Sequence, residues 1–142
     1  MERKNIKEEI KKHFFINPTA KLRVRQIERV LKLPLPSVIR YCKELEKEDI
    51  LKKEEITGIT LFSANRVSKY FLLEKKLFNI RNLYKSGLID YLTNELSNPI
   101  IIVFGSYSKG EDNEESDVDL YIQTPSKRKI RIERFERFLK RK

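Results

Sequence analysis

Five consecutive apolar residues, Ile100-Ile101-Ile102-Val103-Phe104, run directly into the dipeptide Gly105-Ser106, and after ten intervening residues the chain carries Asp117-Val118-Asp119. A run this short, rich in β-branched residues and closed by glycine, predicts a buried strand rather than a helix. Residues two apart on a strand project to the same face. The second motif therefore predicts a strand with Asp117 and Asp119 on one side and Val118, Leu120 and Ile122 facing a core. Two neighbouring carboxylates repel unless a cation joins them. A hard divalent ion such as Mg²⁺ suits them, because it takes one or two carboxylates together with phosphate oxygens. The Gly-Ser turn supplies the complementary half: glycine lets an anion approach the backbone, and the helical turn that follows points its N–H donors outward. A plainer reading makes Glu111 to Asp119 a solvated acidic loop. It accounts for Glu111, Asp112, Glu114 and Glu115, but not for two aspartates alternating on one strand face.

A chain of 142 residues suits one domain or two small ones, and because its two halves read independently, two are expected. With 39% hydrophobic and 37% charged residues, both would be globular with thin cores. No apolar run reaches the length of a membrane span, and Met1-Glu2-Arg3-Lys4 lacks the apolar block of a signal peptide, so no membrane partner is expected. The single cysteine, Cys42, rules out an internal disulfide and fits a reducing cytoplasm. His13 is equally alone, and one His with one Cys cannot build a zinc site. The net charge of +10 is unevenly spread: Lys127 to Lys142 hold nine Lys or Arg against Glu133 and Glu136. That segment reads as a helix with Ile132, Phe135, Phe138 and Leu139 on one face. It is either a surface for phosphates, nucleic acid or an acidic partner, or a solvated face.

In the front half, Ile6, Ile10, Phe14 and Phe15 form a helical stripe that ends at Asn17-Pro18. Val24, Ile27, Val30 and Leu31 give the buried face of a second helix stopped by Pro34. A third begins near Pro36-Ser37, with Val38, Cys42 and Leu45 inward. The period then changes: Ile50 to Ile56, a turn at Thr57-Gly58, and Ile59 to Phe62 read as a hairpin. Three helices and a hairpin resemble a winged helix-turn-helix module. The resemblance implies a recognition helix opened by Ser37, with Ser37, Arg40 and Lys43 toward double-stranded DNA and Lys52 to Thr60 as the wing. Glu28, Glu44, Glu46 and Glu48 dilute the basic character of this half, and such modules also dock proteins.

Between the halves, Asn65 to Lys85 contains no Pro or Gly and predicts a connecting helix. Tyr70, Leu73, Leu77, Ile80 and Tyr84 follow an a/d spacing, which suggests a homodimer seam. The alternative is that this face packs on the chain's own domains, and Phe71, Leu72 and Phe78 off the seam show that more than one side must be buried. Ser86-Gly87 breaks the helix. Leu88, Ile89, Leu92 and Leu96 then form a short one that ends at Asn98-Pro99.

The run Phe104-Gly105-Ser106-Tyr107-Ser108-Lys109-Gly110, followed by Ser116-Asp117-Val118-Asp119-Leu120, resembles the signature of minimal nucleotidyltransferases of the DNA polymerase beta superfamily. The resemblance covers about Leu88 to Lys142. It implies that Gly105 and Ser106, with Lys109 and Ser116, hold a nucleoside triphosphate such as ATP, that Asp117 and Asp119 are catalytic and hold Mg²⁺, and that Lys127 adds positive charge. Members of the family usually carry a third carboxylate on a further strand. The sequence shows only a helix after Gln123, so the reading expects either a piece of a longer protein or a partner that completes the sheet.

The expected fold class is α+β: a winged helix-turn-helix at 1–64, a connecting helix at 65–86, and a partial polymerase-beta-like nucleotidyltransferase α/β domain at 87–142. The expected activity is transfer of a nucleoside monophosphate, AMP, to a hydroxyl acceptor, coupled to DNA binding. The alternative is a transcription regulator or antitoxin with a non-catalytic nucleotide-binding domain, whose partner is a toxin or another protein substrate.

Overall fold

The computed structural model describes residues 5–142, and the readings of Met1 to Lys4 lie outside the described residues. The chain is mixed α and β and forms two compact units that divide between Leu72 and Leu73.

The first unit runs α1 (Ile6–Ile16), β1 (Lys21–Leu22), α2 (Val24–Leu31), α3 (Leu35–Lys47), β2 (Leu51–Ile56) and β3 (Ile59–Ala64). Asn5 caps α1, its side-chain oxygen accepting from the Glu8 N–H at 3.2 Å. Helix α2 stops at Lys32, which adopts the left-handed conformation, so it ends before Pro34 is reached; Pro34 instead caps α3. Helix α3 thus starts at Leu35, which places Ser37 inside its first turn rather than at its opening. Ile10, Phe14, Ile27, Val38, Cys42 and Leu45 are fully buried, whereas Val30, expected on the inner face of α2, is exposed. Thr57 and Gly58 both have positive φ, 50° and 78°, as a two-residue hairpin requires, and Ile56 pairs with Ile59. The short β1 was not foreseen. It pairs with β3, Leu22 opposite Phe62, and completes an antiparallel sheet of order β1-β3-β2.

Helix α4 (Lys69–Lys85) begins after a turn at Asn65 to Ser68, closed by the Ser68 N–H on the Asn65 carbonyl at 3.0 Å. Its buried residues are Phe71, Lys75, Asn79 and Leu83, a ladder of four-residue steps. Of the expected a/d seam, Tyr70, Leu73, Leu77 and Tyr84 are exposed and only Ile80 is partly covered.

The second unit continues with α5 (Leu88–Glu95), β4 (Ile100–Phe104), α6 (Gly105–Lys109), β5 (Asp119–Gln123) and α7 (Glu133–Leu139). Gly87, at φ 86°, turns the chain into α5. Strands β4 and β5 pair antiparallel, with Phe104 opposite Asp119 and Ile102 opposite Tyr121. Among the described residues, helices cover only one face of this ribbon. Leu83, Leu88, Leu92, Leu96, Tyr107, Phe135 and Leu139 form the core, and Ile101, Val103, Val118, Leu120 and Ile122 pack against it. The expectation that the whole of β4 is buried is therefore corrected: Ile100, Ile102 and Phe104, with Tyr121 across from Ile102, lie on the open face and are about half exposed. On α7, Phe135 and Leu139 turn inward, while Phe138, and Ile132 just ahead of the helix, do not.

Candidate active site

The site begins where β4 ends. Gly105 has φ +76°, a conformation that residues with a side chain rarely adopt, and a Cβ placed on it would overlap the Asp119 carboxylate, whose Cγ lies 3.1 Å away. The absent side chain thus makes room for Asp119, and the first candidate carboxylate rests against the backbone of the Gly-Ser turn. Cross-strand pairing of Phe104 with Asp119 produces this placement.

Val118, Leu120 and Ile122 pack on the core, so Asp119 belongs to the open face of the ribbon, as the alternation predicts. Asp117 lies two residues before Asp119, ahead of the first residue of β5, and is exposed. It lines an open groove of about 630 Å³ together with Glu114, Glu115, Glu133, Arg137 and Lys140. Asp119 and Gly105 do not line that groove.

Ser106 is half-buried in α6, and its carbonyl accepts from the Glu111 N–H at 3.0 Å. Ser108 Oγ donates to the Gly105 carbonyl at 2.8 Å, and Gly110 closes the helix in the left-handed conformation. Lys109 is exposed. Ser116 is occupied locally: its Oγ accepts from the Asn113 N–H at 2.9 Å and donates to Asn113 Oδ1 at 3.4 Å. Within the basic run, Arg128 pairs with Glu95 at 3.3 Å and Arg134 stacks over the rings of Tyr91 and Phe135, while Lys127 stays exposed.

Reading the acidic stretch as wholly solvated missed one residue. Asp112 is buried, and its side chain holds three partners: Lys75 Nζ at 2.8 Å, Asn79 Nδ2 at 2.8 Å and Arg141 Nε at 3.1 Å. Asn79 Nδ2 also donates to the Tyr107 carbonyl at 2.8 Å, and Tyr107 Oη donates to the Asn79 carbonyl at 3.1 Å. Burial, and secondarily the Asp112 charge, raises the Tyr107 hydroxyl well above its ordinary pKa, with Arg141 opposing. The signal was present in α4: Lys75 and Asn79 fill the middle of an otherwise apolar four-residue ladder.

Among the described residues, no group of three or more His, Cys, Asp or Glu side chains is arranged to hold a metal ion. Two carboxylates, one against the Gly-Ser backbone and one exposed, nonetheless suit Mg²⁺, which keeps several waters and draws further oxygens from substrate phosphates.

In the first unit, Arg40 and Lys43 are exposed on α3 and Ser37 is half-buried. The Arg40 guanidinium lies 4.5 Å over the Tyr41 ring and donates to its hydroxyl at 2.5 Å. Lys43 lines a groove of about 310 Å³ with Val24, Ile39, Lys53 and Thr60. Glu44 and Glu48 both reach Lys7, at 3.4 and 2.6 Å, which raises the Lys7 pKa through the Glu48 hydrogen bond. Glu46 approaches Lys53 at 3.9 Å. Among the described residues, no helix is long and apolar enough to cross a membrane.

Residues 86–142 match the family model of a nucleotidyltransferase domain, which supports nucleotidyl transfer as the general chemistry of that segment and a nucleoside triphosphate as its substrate class. No curated protein and no solved structure matches the chain.

Proposed function

We propose that the second unit transfers a nucleoside monophosphate, AMP, from ATP to a hydroxyl acceptor and releases pyrophosphate. The observation that carries this reading is the seating of the Asp119 carboxylate against Gly105 within the segment that matches the nucleotidyltransferase family. Asp117 and Asp119 would hold Mg²⁺, which when bound neutralises charge at the α-phosphate and activates the attacking hydroxyl. Ser106 and the backbone N–H groups of its turn hold the β and γ phosphates, and Lys109 adds positive charge at the exposed end of α6. Ser116 acts by closing the Asn113 turn that leads into Asp117. Because such transfer depends on positioning and electrostatics, the task of these residues is to orient the triphosphate and to receive the metal. The test is incubation with Mg²⁺ and ATP labelled at the α-phosphate. Label is expected in a hydroxyl-bearing acceptor with wild type and not with Asp119→Asn; label that enters equally with both proteins contradicts the assignment.

For the first unit we propose a winged helix that binds double-stranded DNA. Its three helices and its hairpin, joined by β1 into one sheet, support that reading. So does the disposition of charge: Glu44 and Glu48 are engaged by Lys7, which leaves Arg40 and Lys43 exposed on α3. Replacing both with Ala is expected to weaken duplex binding and to lower the log-log salt slope by roughly 0.9 for each phosphate that is no longer neutralised. An unchanged slope would assign α3 to protein docking. Exposure of Leu73 and Leu77 supports a second copy of the chain as the occupant of the α4 stripe. An antitoxin with a toxin partner remains the second functional reading, and Mg²⁺-dependent turnover of ATP distinguishes it from the first.

A further inference from the structure

We infer that Asp112 is a positioning residue that sets the Gly105-Ser106 turn in register with Asp117 and Asp119, an inference that rests on the nucleotidyl-transfer reading. Asp112 falls in the ten-residue connection between the two motifs, where a solvated loop would leave their spacing loose. Its carboxylate is instead withdrawn from solvent and held by Lys75, Asn79 and Arg141 at 2.8 to 3.1 Å. The network reaches both motifs. On one side, Asn79 grips the backbone of Tyr107, the residue directly after Ser106. On the other, Arg141 precedes Lys142, whose carbonyl accepts the N–H of Val118, the residue between the two aspartates, at 2.6 Å. Lys75 and Asn79 sit one turn apart on α4, so a regular helix supports the whole.

Stability alone is a poor reason for such a group. Desolvating two cations and a carboxylate cancels much of their attraction, and apolar replacements of similar shape often fold as well. What a buried ionic cluster does supply is one defined arrangement of the segments it joins. Transfer chemistry is sensitive to displacements of about 1 Å.

The experiment compares ATP affinity in the presence of Mn²⁺ with that in EDTA, in the full chain. The ratio of the two reports how well the phosphate-binding turn and the carboxylates act together. In wild type the metal is expected to tighten ATP by a factor within the usual coupling range of about 5 to 150. Asp112→Asn, folded by circular dichroism at the assay temperature, is expected to lose most of that factor. Arg141→Gln, which removes one partner and leaves Lys75 and Asn79 in place, is expected to lose part of it and keeps the test open if Asp112→Asn does not fold. A wild-type ratio in either folded variant overturns the positioning role, since a purely structural residue would lower the melting temperature and leave the ratio unchanged. A ratio of one in wild type overturns the nucleotidyl-transfer reading itself, and the inference with it.

Discussion

The Asp119 carboxylate occupies the space that a side chain at Gly105 would need, so two motifs separated by ten residues in sequence meet in the fold. Gly105→Ala is therefore expected to act on the site and the fold together. The left-handed conformation alone costs a residue with a Cβ about 1–2 kcal/mol. The methyl group must also displace Asp119. A lowered melting temperature together with impaired Mg²⁺-dependent ATP binding is expected from calorimetry and titration. Full retention of both would mean that the two residues do not touch.

Cys42 gives the first unit an alkaline weakness. Burial pushes its thiol up to about 12 from 9.0. Below pH 9 the thiol is protonated in both the folded and the unfolded chain, and it contributes no pH dependence. Between 9.0 and about 12 the unfolded chain releases the proton and the folded one keeps it, so stability falls by up to about 1.4 kcal/mol per pH unit. Urea unfolding of wild type and Cys42→Ala between pH 8 and roughly 10.5 checks this, the range being chosen to span the unfolded thiol's titration. The gap between the two proteins is expected to narrow as pH rises, and parallel curves would contradict the cause.

Much of this was legible in the sequence, and the misses share a physical origin. Thr57-Gly58 announced its hairpin because a two-residue turn demands positive φ, and Gly105 announced close approach for a similar reason. In helix α4 the apolar spacing marks the stripe of Tyr70, Leu73, Leu77 and Tyr84, which is exposed within one chain, and does not mark the face that the chain itself buries. Its inner ladder holds Lys75 and Asn79, buried because Asp112 and the Tyr107 backbone wait for them. Asp112 escaped for the converse reason: amid Glu111, Glu114 and Glu115 nothing local separates a buried carboxylate from solvated ones. Strand β4 looked buried on both faces because sheet cover is a tertiary property, and only the Ile101 and Val103 side meets the core. Strand β1, two residues long, exists only because β3 lies beside it.

The exposed α4 stripe leads to a prediction about assembly. Leu73, Leu77 and Tyr84 each expose more than half of their surface. If a second copy covers them, Leu77→Asp places an unpaired charge in the seam, at a cost of several kcal/mol. Sedimentation is expected to show a wild-type dimer and a folded Leu77→Asp monomer. A wild type that is monomeric at tens of micromolar, on the order of the range that populates weak dimers, would leave the stripe solvent-facing.

On the proposed reading, Asp117 and Asp119 receive a divalent cation that brings a nucleoside triphosphate to the Gly105-Ser106 turn. Calorimetric titration of ATP, with and without Mg²⁺, into wild type and into Asp117→Asn/Asp119→Asn tests it most directly. Wild type is expected to bind ATP more tightly with Mg²⁺ than without, and the double variant is expected to lose that difference. Equal affinity in all four titrations would mean that the two carboxylates do not receive the metal.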